Sequence, residues 1–269
     1  MKKKSTFITI LSLTALFSIS AAETQDKDLL FHMNYDNYEA AANYSKGYGK
    51  PLNFKGNLML RMHPGAGQKG NALCYNNGEN FLYNTIGNFI PNGGTVSFWV
   101  MPKNWDSTSK NFQMFFRAKT PGNFNFYIYK MHNSNALTFA IYSASGKYIL
   151  NSVMSPKQWI PEKWHKIDAV WDTESIALYI DGELAAGKSK NPYVFRQQAK
   201  FPASGKSGWM QIGISKGWKP VNENDLTVID DVRIYSRKLS SEEIRAAAEK
   251  IFPRQKKKAQ SIQTDSSAR

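Results

Sequence analysis

Residues 228–244 read "VIDDVRIYSRKLSSEEI", a run that alternates like a half-buried strand and then turns into a helix. Asp230 shares its parity with Val228, Val232 and Ile234, so in a strand it points toward the face those residues bury. Asp231 shares the other face with Arg233. A carboxylate on a core-facing side must be hydrogen-bonded, ion-paired or metal-bound, because an isolated buried charge is too costly to keep. The alternation therefore predicts Asp230 buried and partnered, and Asp231 exposed beside Arg233. Past the strand, Ser240 is an N-cap, Glu243 completes a capping box, and Leu239 and Ile244 can staple across it. Ile244, Ala247, Ala248 and Ile251 then recur at helical spacing until Pro253 stops the run.

Upstream, the dominant period is that of strands. "GTVSFWVMP" sets Val96, Phe98 and Val100 against Ser97, Trp99 and Met101. "NFQMFFRAK", "NFNFYIYK", "ALTFAIYS" and "KYILNSV" follow, separated by the turn clusters "TPGN", "HNSN" and "ASGK". In "SIALYIDGELAA", Asp181 and Gly182 divide two apolar runs and predict a type I′ hairpin. Before it, "KWHKIDAVWD" places His165, Ile167, Ala169 and Trp171 on one face, close enough in sequence to pair antiparallel with the hairpin. Many short strands with regular turns point to an all-β sandwich or barrel.

The termini read differently from the middle. "MKKK", the apolar stretch "FITILSLTALFSI" and the small residues Ser20, Ala21 and Ala22 make residues 1–22 an export signal, with an uncleaved anchor as the alternative. Residues 23–27 are a linker, 28–252 one domain, and the lysine-rich 253–269 a basic disordered tail. No later segment is apolar enough for a membrane span, so the expected location is secreted, periplasmic or cell-surface. The whole chain carries +14; without the three signal lysines it keeps 32 basic against 21 acidic side chains, or +11. Such an excess favours anionic partners, of which an exported protein makes nucleic acid the least expected. Cys74 is alone, so internal disulfides do not staple the fold, and 42% hydrophobic residues must supply the core.

The order of "LLFHMNYDN", "NALCYNNG", "TVSFWVMP", "KWHKIDAVWDTESIALYIDGELAA", "WMQIGIS" and "VIDDVRIYSRKLSSEEI" resembles a laminin G-like domain of the concanavalin A-like lectin and glucanase superfamily. The resemblance implies a two-sheet antiparallel jelly-roll sandwich with one short C-terminal helix, its first and last strands side by side. Asp36 would then approach Asp230. Relatives of this fold often hold calcium at a sheet edge, so a calcium role for Asp36 and Asp230 stands beside a purely hydrogen-bonded one.

Catalysis finds little support in the residues. Glycosidases of this shape present Glu-x-Asp-x-x-Glu on one strand. In "ENDLTV", Glu223 and Asp225 fit, but Val228 stands in the last position. His32, His63, His132 and His165 are scattered, and "HPGAGQKGN" lacks the Gly-Lys-Ser/Thr ending of a phosphate loop. For ligand binding, Trp105 and Trp218 lie in polar, turn-rich surroundings where a ring could meet a sugar face or cap the sandwich edge. Lys188, Lys190 and Arg196 belong to a basic, aromatic-interleaved loop that could hold an acidic glycan or simply be solvated. Trp99, Trp164 and Trp171 lie in strands and are expected in the core. The reading is an exported non-catalytic lectin-like module for carbohydrate or a cell-surface glycoconjugate, with a structural or adhesion component of the envelope as alternative and a glycoside hydrolase behind both.

Overall fold

The computed structural model describes residues 26–253 apart from 38, 54–61, 77–78, 121–124, 133, 143–148, 157, 186–192, 195–207 and 214–221. Two antiparallel sheets face each other, as the alternation predicts. In the larger sheet, β13 (Glu183–Leu184), β12 (Ser175–Ile180), β11 (His165–Trp171), β6 (Gly94–Pro102), β16 (Leu226–Tyr235), β1 (Leu29–Met33) and β2 (Tyr44–Ser45) lie side by side. β14 (Tyr193–Val194) joins β12, β4 (Asn71–Asn76) joins β16, and β3 (Met62–Pro64) joins β4. The smaller sheet runs β10 (Ile149–Pro156), β9 (Ala136–Tyr142), β8 (Asn125–Lys130), β7 (Gln113–Lys119), β15 (Trp209–Gly213) and β5 (Asn80–Asn84).

Between the sheets sits a core rich in rings. Phe89 stacks on Trp171 at 5.2 Å and meets Phe126 edge-on at 5.0 Å, while Trp105, Trp159 and Phe115 form a second knot with centroids 5.4–6.4 Å apart. Each such side chain stabilises the fold by roughly 1.5–3 kcal/mol on burial. Tyr35 is a poor fit within this core: its hydroxyl is fully buried and has no hydrogen-bond partner among the described residues. Tyr35→Phe is therefore expected to leave stability unchanged or raise it by about 1 kcal/mol. A urea midpoint that instead falls would show that the hydroxyl is bonded.

The predicted hairpin and helix are both present. Asp181 and Gly182 adopt φ of 54° and 81°, the left-handed pair a type I′ turn needs. α1 (Ser241–Ile251) starts at Ser240, whose hydroxyl accepts from Glu243 N while Glu243 accepts from Ser240 N, closing the capping box. Ile244, with Leu239, packs on Val170 and Ala177 of the larger sheet's outer face. Ala247, assigned to the packing stripe by spacing, is exposed; Ile244 and Ala248 are the helix's buried residues.

The sandwich closes where its chain ends meet. β1 pairs antiparallel with β16, His32 opposite Arg233 and Met33 opposite Val232.

Candidate functional site

β16 carries a bulge between Asp230 and Arg233, centred on Asp231 at φ 48°. Ahead of it Ile229 faces the inter-sheet core, and after it Val232 and Ile234 do. The parity shared by Asp230, Val232 and Ile234 in the sequence is thus broken. Asp230 sits opposite Trp99 on the outer face instead. It is buried and partnered as expected: Ala66 N donates to Oδ2 at 2.9 Å and Asp231 N to Oδ1 at 2.7 Å. Burial pushes its carboxyl up to about 7, a rise the Ala66 N–H opposes and the nearby Asp231 and Asp36 reinforce.

Asp231, expected to be exposed, is half-buried and holds two chain segments together. Its Oδ1 accepts from Arg233 Nε at 2.8 Å and lies 2.7 Å from His32 Nε2 on β1. Burial alone would raise this carboxyl, but His32 and Arg233 outweigh it and hold it far below the usual range. Asp231 therefore ties the last strand to the first.

The glycines of "HPGAGQKGN" form the loop that covers Asp230. Gly67 has φ 66° and lies so near Ile251 at the end of α1 that a Cβ would meet its Cγ2 at 2.8 Å. Gly70, at φ 63°, leaves the same space to Asp36 Oδ1. Asp36 accepts from Asn71 N at 2.8 Å and from Asn34 Nδ2 at 2.6 Å. Asp36 and Asp230 thus grip opposite ends of one loop, and the partners of their four oxygens are N–H donors rather than the further oxygens calcium takes.

Beside this loop a groove crosses the outer face of the larger sheet. One half, about 400 Å³, lies between Trp99, Trp164, Asp181 and Ala248; the other, about 310 Å³, between His63, Gly67, Met101 and Trp164. Glu162, Trp164 and Phe252 line both halves. Phe252 follows α1 directly, is 42% exposed, and meets the buried Trp99 edge-on at 5.2 Å. Beneath Trp99 lies the buried pair Lys166–Asp168 at 2.9 Å, with Lys166 Nζ also bonded to Ser97 Oγ and 5.9 Å from the Trp99 ring.

Polar groups ring the groove. Lys103 Nζ bonds Glu162 Oε1 and lies 3.3 Å from His63 Nε2. Asp181 takes Lys166 N at 2.9 Å and pairs with His165 Nδ1 at 3.0 Å. Glu162 has φ 62°, a left-handed backbone unusual for this residue type, held by Glu162 N donating to Pro102 O. Rings beside fixed donors and acceptors suit a ligand with apolar faces and many hydroxyls.

Residues 76–245 match the family described as concanavalin A-like lectin/glucanases superfamily, laminin G type. The chain belongs to this family. Among curated proteins no match was found. Several solved structures share the laminin G-like fold. The botulinum neurotoxin serotype D ligand-binding domain in complex with N-acetylneuraminic acid superposes with TM-score 0.57 at 17% identity, over 83% of this chain and 51% of that one. The receptor-binding domain of botulinum neurotoxin D gives 0.58 at 18%, over 83% and 52%. The binding domain of Paraclostridial Mosquitocidal Protein 1 gives 0.60 at 13%, over 84% and 52%. The chain spans about half the length of these structures.

Within this laminin G-like fold, Trp105 alone of the ligand-binding residues expected from sequence lies among the described residues. Trp105 is buried and donates its indole N–H to Thr227 Oγ1 at 3.0 Å, so it serves the core and offers no ring to a ligand. Trp218, Lys188, Lys190 and Arg196 lie outside the described residues. Asp225, one of the two acids that fit a glycosidase strand, is buried and accepts from Gln113, Asn111 and Asn222 side-chain amides at 2.7–3.1 Å. Those bonds occupy it structurally. Trp164, expected in the core, is only partly buried and lines the groove. Its signal was legible: Trp164 shares parity with Lys166 and Asp168, not with Ile167 and Ala169. No helix among the described residues is long and apolar enough to cross a membrane.

Proposed function

We propose that this laminin G-like chain is an exported, non-catalytic lectin-like module that binds carbohydrate on a cell-surface glycoconjugate through the groove at Trp164. The observation that carries the reading is the pair of accessible rings, Trp164 and Phe252, set among Glu162, Lys163, His63 and Asp181. Trp164 and Phe252 would stack on pyranose faces, and the charged and imidazole groups would take hydroxyls. The complex of a similar fold with N-acetylneuraminic acid supports a glycan ligand class without locating its site here.

A glycan array probed with the purified protein tests this. Trp164→Ala should weaken the best-bound glycan by roughly ten- to thirty-fold, the loss of one aromatic anchor. Full binding by that variant would remove the groove from the reading, and no binding to any glycan would leave the structural or adhesion role.

A further inference from the structure

The chain's charge is segregated along its sequence. Residues 107–161 and 184–222 contain no aspartate or glutamate, yet hold thirteen lysines and arginines, of which Lys110, Arg117, Lys119 and Lys130 lie among the described residues. The first stretch supplies β7, β8, β9 and β10 and the second supplies β15, so five of the six strands of the smaller sheet come from acid-free sequence. The groove, with Glu162, Asp181 and Glu249, lies on the other sheet.

The outer face of the smaller sheet also carries a row of rings. Phe116, Ala118, Phe126, Ile128, Ile141 and Met210 belong to the inter-sheet core, so the alternate residues Arg117, Tyr127, Tyr142 and Trp209 face outward. The Arg117 guanidinium is clamped between Tyr127, 5.0 Å away, and Trp209, 4.6 Å away. Tyr142 meets Tyr127 edge-on at 5.4 Å, and Lys119, exposed, stands opposite both Trp209 and Asn125. The four residues span four adjacent strands, about 14 Å across the sheet by ordinary strand spacing. All of them remain partly accessible.

We infer that this face is a second binding site, separate from the groove, and that it takes an anionic linear glycan. The rings supply stacking for successive sugars, and a guanidinium fixed between two rings, with its Nη2 also donating to Asn125 Oδ1 at 3.3 Å, brings a fixed positive charge and its remaining outward N–H groups to a carboxylate or sulfate with little further loss of freedom. A lysine there would keep the charge and lose both the stacking and the fork.

Binding of the purified protein to polygalacturonate, dextran sulfate and uncharged dextran, at low ionic strength, tests the inference; the first two arms separate carboxylate from sulfate. Uptake of at least one charged polymer and not of dextran is expected, with Arg117→Lys weakening it about ten-fold. Tyr142→Ala, at a partly accessible ring, should also weaken binding and serves if the Arg117 variant fails to fold. Trp164→Ala should leave charged-polymer binding unchanged. Failure to bind either polymer overturns the inference. So does binding indifferent to both Arg117→Lys and Tyr142→Ala, which marks diffuse attraction to a basic chain, or binding lost in Trp164→Ala, which returns the ligand to the groove. The lectin reading of the groove is decided separately, by the glycan array.

Discussion

Asp168→Ala is expected to cost about 3–5 kcal/mol of folding stability, because it strands the Lys166 ammonium in a dry site. Both side chains are nearly inaccessible, at 3% and 1%, and their neighbours are Ser97 and the face of Trp99. Asp168 and Lys166 face each other there at 2.9 Å, so each offsets the other's burial. Replacing both, as Lys166→Met with Asp168→Leu, should recover most of the loss, since apolar groups of similar volume avoid desolvating two ions. Urea unfolding of the three proteins reads this directly. Equal losses in single and double variants would show that packing, not the stranded charge, sets the cost.

Asp230 gives the second large effect, in the pH dependence of stability. Its carboxyl lies at about 7 in the folded protein against 3.8 as an ordinary aspartate, because burial penalises the charge beside Asp231 and Asp36. Between these values the folded state holds a proton that the unfolded state has released. Stability from this group is thus complete below the unfolded value and is lost as pH rises through the folded one. The gap between the two values corresponds to about 4 kcal/mol, and the dependence levels off above about pH 8. Asp230→Asn removes the titrating proton. Compared at about pH 5 and about pH 8, the native protein should lose its advantage over the variant as pH rises. Parallel curves would mean that Asp230 is ionised throughout.

Much of the architecture was legible because its signals are local. Asp181-Gly182 adopts the positive φ pair its composition requires, and Ser240 with Glu243 closes its own cap. Alternation in "GTVSFWVMP" separates Val96, Phe98 and Val100 from Ser97, Trp99 and Met101 as read, since a strand's period is fixed by its backbone, but only the structure shows that the first set faces inward and that Trp99 faces the groove. The candidate site was much less legible. Trp105 looked exposed from its polar neighbours but fills a gap between Phe115 and Trp159, partners remote in sequence. Trp164 and Phe252 meet in a groove although 88 residues apart, a meeting that depends on where α1 comes to rest.

The opening stretch divides the two kinds of information. By itself the sequence determined that residues 228–235 form a strand, that a capped helix follows, and that one of two adjacent aspartates must be buried. Tertiary structure alone decided which face each occupies. A single extra residue at Asp231 shifts β16 by one against β6, and both carboxylates find their partners on the outer face. Periodicity has no means of registering that shift, because a bulge arises from pairing with another strand rather than from the run of residues that contains it.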